Sequence, residues 1–255
     1  MRALLTAIAC EPRDLAANLA VHVDLLRRAA EGGCDLAVFP EFSLTGSIDP
    51  RRHPDDAIAI DAQAVATLAE ATGDLGVAAV FGLGERCGGH FFITQAVAAG
   101  GRLIGSQRKR HLGDDELSYS TGSDTFVFEL QSHRLGIVIC AEAHVDWTWD
   151  ATIRAGADTV LYCSAPGLYG RRVDDASWRE GFEWWESRGL GDAIRHAQRL
   201  RVPVAMATQA GITVDEDFPG IAALVSADGT VIDRLPDWRA ATLIVDLPHD
   251  KPESN

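Results

Sequence analysis

A cysteine, a glutamate and a lysine stand at or just beyond the ends of three apolar runs. Cys140 closes Leu135-Gly136-Ile137-Val138-Ile139, with a further carboxylate, Glu142, two residues on. Glu41 closes Asp35-Leu36-Ala37-Val38-Phe39-Pro40, and Lys109 follows Gly101-Arg102-Leu103-Ile104-Gly105. A free cysteine has a pKa of roughly 8.5, so near neutral pH its sulfur needs a base to take the proton or a cation to stabilise the thiolate. A carboxylate and an ammonium are groups of those two kinds. Three buried-type strands that each deliver one such side chain describe an activated thiol nucleophile.

Each residue also has a plainer reading. A cysteine at a strand end is most often a small core residue. Glu41 alone would be a solvated loop residue, and Lys109 sits in Arg108-Lys109-Arg110, which alone reads as a surface charge run. Their common position after buried strands favours the chemical reading. Cys163 also ends an apolar run but has no neighbouring acid or base, so packing explains it better. Cys10 and Cys34 read as core cysteines and Cys87 as a loop thiol. His111, His144 and His196 lack the paired spacing of metal ligands. Gly82-Leu83-Gly84 and Gly88-Gly89 read as a turn, because a strand and not a helix follows them. The chain has no Gly-x-Ser-x-Gly elbow, which removes that route to a serine nucleophile.

The elements that must position these residues follow from periodicity. Leu4 to Ala9 reads as a strand. Asp14 is a candidate N-cap for a helix striped by Leu15, Leu19, Val23 and Leu26, and Gly32-Gly33 stops it. Leu36 to Phe39 is a buried strand, Ile58 to Thr72 a helix stopped at Gly73, and Val77 to Phe81 a strand. Phe91–Ala98 and Arg102–Ser106 flank Ala99-Gly100-Gly101 as a hairpin. Strands follow at Phe126–Leu130 and Arg134–Ile139, a helix at Trp147–Ala155 and a strand at Thr159–Cys163. Residues 164–188 read as a long loop whose Trp178, Phe182, Trp184 and Trp185 would form a substrate lid or an oligomer contact. A helix over Leu190–Arg201, a strand over Val202–Thr208, a hairpin turning at Ala227-Asp228-Gly229 and a last strand over Leu243–Leu247 complete the pattern. The order predicts one α/β domain over 1–247 and a polar tail over 248–255.

Composition bounds the rest. With 255 residues, 47% hydrophobic, the chain can bury a large core without disulfides, and its five scattered cysteines make no Cys-x-x-Cys pair. That usage suits a reducing cytoplasm. No stretch approaches the roughly 20 apolar residues of a membrane span. A net charge of −14 disfavours nucleic acid and anionic membranes as partners.

Three longer segments resemble the signatures of the nitrilase superfamily of carbon–nitrogen hydrolases. They are Asp35 to Gly46, Gly101 to Leu112 with its Lys109 and following His111-Leu112, and Gly136 to Cys140 with Arg154-Ala155-Gly156-Ala157-Asp158. The resemblance runs through the chain in order. It implies a four-layer αββα sandwich of two β-sheets, assembled as a homodimer or larger homo-oligomer. It implies Glu41 as general base, Lys109 as oxyanion stabiliser and Cys140 as nucleophile. A second glutamate is best matched by Glu116, with Asp114 and Asp115 as neighbours that could serve instead. Ala141, Glu142 and His144 fall where the family contacts substrate, Glu142 and His144 standing near the usual aspartate and arginine. The implied reaction cleaves a small amide or carbamoyl substrate through a Cys acyl-thioester, with no cofactor and no metal. Two alternatives remain open at this point. One is a nitrilase acting on a nitrile, suggested by the Cys140-x-Glu142 spacing. The other is a non-catalytic binding or regulatory protein on the same fold.

Overall fold

In the strands, neighbouring side chains point to opposite faces, and both faces here are apolar. Leu4 and Leu5, Ala37 and Val38, Ile137 and Val138, and Leu161 and Tyr162 are all buried, yet the two members of each pair enter different cores. Such strands need cover on both sides. The computed structural model, which describes residues 1–166 and 170–248, supplies it.

In chain order the strands are β1 (Arg2–Ile8), β2 (Leu36–Val38), β3 (Ala78–Cys87), β4 (His90–Ala99), β5 (Arg102–Arg108), β6 (Val127–Leu130), β7 (His133–Ile139), β8 (Thr159–Ser164), β9 (Val204–Gln209), β10 (Gly211–Ile212), β11 (Asp217–Phe218), β12 (Ala223–Val225), β13 (Val231–Arg234) and β14 (Ala241–Asp246). The helices are α1 (Leu15–Glu31), α2 (Gln63–Leu75), α3 (Asp146–Arg154), α4 (Asp175–Trp184) and α5 (Leu190–Leu200). One sheet runs β5-β4-β3-β2-β1-β14 and the other β6-β7-β8-β9-β12-β13. They meet at one corner, where Ala7 and Ile8 of β1 pair in parallel with Thr208 and Gln209 of β9. Residues such as Leu5, Val38, Val80, Ile137 and Leu161 fill the space between the sheets. Leu4, Phe39 and Phe81 pack outward under α1 and α2, and Val138, Tyr162 and Met206 under α3, α4 and α5. The result is the expected αββα layering.

Local signals set several boundaries. The Asp14 carboxylate accepts the Ala17 N–H and caps α1. The hairpin from β4 to β5 turns on Gly100 and Gly101, both with positive φ. Three expectations are corrected. The helix over the second apolar stretch does not stop at Gly73. It continues to Leu75 and ends on Gly76, which takes the left-handed conformation. Gly73 serves a different need, since a Cβ there would lie 2.8 Å from the Cα of Gly101, so α2 and the hairpin turn touch backbone to backbone. Val77–Phe81 is only the start of β3, which runs on through Gly82 and Gly84 to pair with β4 along its whole length. Residues 175–189 are helical and not loop. Asp174 and Ser177 form a reciprocal cap on α4, and a wide turn over Trp185–Gly189 carries the chain into α5. Phe182 and Trp185 are buried in the core beneath these helices, which excludes them from a lid. The polar tail lies almost entirely outside the described residues.

Candidate active site

The glutamate, the lysine and the cysteine that end apolar runs in the sequence converge at the carboxyl ends of strands from both sheets. Beyond β2 the chain folds into a tight turn laid over β3. The Leu44 N–H bonds to the Gly82 carbonyl, and the Ser43 hydroxyl accepts the Gly82 N–H. That contact requires glycine, since a Cβ at Gly82 would lie 2.3 Å from the Phe42 nitrogen. The turn buries Glu41, which is 2% exposed, and Gln209 Nε2 donates to the Glu41 carbonyl from the other sheet at 3.1 Å. Lys109, the first residue past β5, is fully buried. Its Nζ donates to Glu41 Oε1 at 2.8 Å and to Glu116 Oε1 at 2.5 Å. Glu116 is fixed in turn, its other oxygen accepting the Gly113 N–H at 2.6 Å. Of the three acidic candidates in this stretch, it is Glu116 that reaches Lys109, while Asp114 and Asp115 lie exposed at the rim.

Cys140 is the first residue past β7 and has φ of +44°. A non-glycine residue held there is strained, and such strain persists only where the surroundings over-determine it. The turn presents the thiol in a cleft of about 580 Å³, within the usual range for small-molecule sites. Sγ lies near enough to the Glu41 carboxylate and to Ser164 to interact with both, and the buried Ser164 hydroxyl makes no hydrogen bond of ordinary geometry.

The electrostatics follow from burial around one cation. Burial pushes the Glu41 carboxyl up to about 7, against the pull of the Lys109 ammonium and with the Glu116 charge adding to the rise. Burial, then the charge of Glu41, pushes the Cys140 thiol up to about 12, with Lys109 opposing. Burial alone would lower Lys109, but Glu41, Cys140 and Glu116 together raise it above the ordinary lysine range. The resting pair at neutral pH is therefore a thiol beside a carboxyl that titrates near pH 7. Of the two activation routes open from sequence, a thiolate held ready by Lys109 is disfavoured, and proton transfer to Glu41 during attack is favoured.

The remaining expected site residues are placed differently from one another. Ala141 lines the cleft. His144 stands at its mouth, half exposed, with Nδ1 2.9 Å from Asp192 Oδ2. Glu142 does not reach the cleft at all. It is fully buried and its carboxylate is held by Arg110 at 3.0 Å, so direct contact with substrate is excluded in this arrangement. Arg110 itself is 5% exposed, against the surface character its sequence context suggests. Cys163 lies in the core between the sheets. Sequence reasoning missed Phe42, Tyr119, Tyr162 and Ser164, which line the cleft, and only Trp184 of the aromatic cluster joins them. Tyr119 packs against Phe42 and donates its hydroxyl to the Ile48 carbonyl at 2.6 Å. No group of three or more His, Cys, Asp or Glu side chains among the described residues is arranged to hold a metal ion. No helix among them is long and apolar enough to cross a membrane.

Comparison with known proteins bears on this geometry. An aliphatic nitrilase from Rhodococcus rhodochrous is 30% identical over 173 residues, 61% of this chain and 47% of that protein. An (R)-stereoselective amidase from a Pseudomonas species is 28% identical over 162 residues, 63% of this chain and 59% of that protein. The matches thus span about half the length of these curated relatives. An amidase from Nesterenkonia sp. AN1 superposes with a TM-score of 0.81 over 97% of this chain and 93% of its own, at 24% identity, which is a likeness of fold. Solved forms of that amidase hold butyramide, or carry acrylamide added at the active-site cysteine. The sequence profile of the carbon–nitrogen hydrolases matches residues 4–253, a span that takes in both sheets and all the residues gathered around Cys140, and the chain belongs to that family.

Proposed function

We propose that this protein hydrolyses a small amide to the carboxylic acid and ammonia or an amine, through a thioester on Cys140. The observation that carries the reading is the buried Glu41, bonded to Lys109 and lining the same cleft as the Cys140 thiol. As sulfur attacks the carbonyl carbon, its proton passes to Glu41. The carbonyl electron pair moves onto oxygen. Two of the three ammonium protons of Lys109 are held by Glu41 and Glu116. The third is directed at the oxyanion, with the Ala141 N–H as a second donor. Collapse breaks the carbon–nitrogen bond, and the leaving nitrogen takes the proton from Glu41. Water then attacks the thioester, gives its proton to Glu41, and the released sulfur recovers it. Glu116 holds Lys109 in register through both halves.

Cleft charge narrows the substrate. Asp49, Asp114, Asp115 and Glu216 line it, and among the described lining residues the one guanidinium, Arg51, is engaged by Asp49 at 3.0 and 3.1 Å. A substrate carboxylate would meet carboxylates, which favours amides without one. The relatives include both an amidase and nitrilases, so amide and nitrile substrates are separated by assay. The test is ammonia release from a panel of aliphatic amides, their carboxylate-bearing analogues and the matching nitriles, with intact mass of protein quenched during turnover. Uncharged amides should exceed their carboxylate analogues at least about ten-fold in kcat/KM. They should also leave an acyl mass on Cys140. Turnover of nitriles alone would transfer the reading to a nitrilase.

A further inference from the structure

Glu142 lies out of reach of substrate, yet it touches the backbone on both sides of the chemistry. Its Oε1 accepts the Arg110 backbone N–H at 2.6 Å and Arg110 Nε at 3.0 Å. Its Oε2 accepts the Ile139 backbone N–H at 3.0 Å and Arg110 Nη2 at 3.0 Å. Arg110 follows Lys109 in the chain, and Ile139 precedes Cys140. One fully buried carboxylate therefore ties the residue after the cation to the residue before the nucleophile, joining the end of β5 in one sheet to the end of β7 in the other. The guanidinium completes the cage, with Nη1 donating to Thr125 Oγ1 at 2.9 Å and Nη2 to Thr152 Oγ1 at 3.3 Å.

We propose that Glu142 is a positioning residue, which holds Cys140 in its strained left-handed conformation and sets its distance from Lys109 by accepting one backbone N–H on each carboxylate oxygen. The inference rests on the proposed amide hydrolysis for its kinetic reading. A carboxylate is the group the geometry needs. It presents two acceptors and no donor. In Glu142→Gln, one of the two backbone N–H groups must face an NH2 group, donor against donor, and the strained turn loses one of its ties. A pair kept only for stability would behave otherwise, because apolar side chains of similar volume often replace a buried ion pair at no cost to the fold.

The experiment compares Glu142→Gln, Arg110→Lys and the double variant Arg110→Met/Glu142→Met with the parent. Read are kcat and KM on the best neutral amide, thermal unfolding, and the rate at which iodoacetamide alkylates Cys140. Glu142→Gln is expected to lower kcat by up to about 100-fold, the loss that follows misplacement by an ångström, with KM within about two-fold. Alkylation of Cys140 slows with it. Arg110→Lys gives up the bidentate fork and loses stability, but it keeps a cation beside Glu142 and both backbone N–H bonds, and lowers kcat less than about five-fold. The double methionine variant unfolds cooperatively, at a temperature lowered by the two backbone N–H groups it leaves without an acceptor, and is as impaired as Glu142→Gln. Parent-like kcat in either the Gln or the double variant overturns the proposal. So does Arg110→Lys if it is as damaged as Glu142→Gln, which would move the role to the guanidinium. If the parent hydrolyses no amide, the proposed function fails, and the alkylation rates still decide whether Glu142 holds the thiol.

Discussion

Lys109 and Arg110 are chain neighbours, both buried, both paired with glutamate, and their surroundings differ in kind. Arg110 spreads its fork over one carboxylate and two threonine hydroxyls. Lys109 has a point charge shared by two carboxylates, an excess of acid in a buried place, beside a cleft. A guanidinium suits fixed, planar contacts, whereas an ammonium with one proton to spare can serve a charge that appears only during reaction. The difference teaches that burial and ion pairing alone do not mark a catalytic cation. On the proposed mechanism, what sets Lys109 apart is a place beside a cavity with one ammonium proton not taken up by Glu41 or Glu116, together with a carboxyl, Glu41, pushed far from its usual range.

The contrast breaks most sharply at Lys109. Lys109→Met should reduce turnover by at least about a thousand-fold, mainly in kcat, because the charge it meets belongs to the transition state. Its fold, followed by circular dichroism, should persist. A raised KM with normal kcat would make Lys109 a binding group and erase the distinction from Arg110.

Glu41→Gln should cost nearly as much, since acylation and thioester hydrolysis both need its proton transfer. In the parent, kcat/KM should rise with pH through a midpoint near 7 as Glu41 loses its proton. A flat profile from pH 5.5 to 8.5 would contradict this. Stability runs the other way. The folded Glu41 holds its proton more tightly than an ordinary glutamate, from 4.5 up to about 7, so its contribution is fully present below pH 4.5 and fades as pH rises through about 7. The Gln variant should therefore gain in unfolding free energy relative to the parent between pH 4.5 and 8, by at most about 3 kcal/mol. A gap that narrows over that range would show that Lys109 outweighs burial.

The smallest effect belongs to the edge of the other cluster. Thr125→Val removes one neutral hydroxyl from Arg110 and should cost about 1 kcal/mol of stability in denaturant titration, with activity changed less than about three-fold. A larger activity loss would mean that Arg110 is not as fully satisfied as its contacts indicate.

The sequence made Glu41, Lys109 and Cys140 legible because each stands at or near the end of a buried strand, and strand ends of an α/β sheet are where side chains meet a crevice. The same reasoning misread Glu142. Spacing along the chain puts it near the thiol, but the tight turn after β7 swings its side chain beneath the strand, and no periodicity reports that. Arg110 was masked by its neighbours Arg108 and Lys109, since a run of like charge ordinarily signals solvent. Helix α4 was more accessible than it looked. Asp174 and Ser177 carry a capping pattern, and Trp178, Phe182 and Trp185 fall at helical spacing, but the density of aromatics drew attention to a lid. The pairing of β1 with β9 left no local trace at all, because only two residue pairs, far apart in sequence, make it.

That corner divides the chemistry as well as the sheets. Glu41 and Lys109 belong to one sheet and Cys140 to the other, and the Gln209 side chain reaches across the junction to the Glu41 carbonyl. A fragment ending before β6 would carry a base and a cation with nothing to activate. The remaining fragment would carry a thiol with no proton acceptor. On the proposed mechanism neither half could turn over an amide alone, so any change that loosens the junction of the two sheets reaches the reaction before it reaches either core.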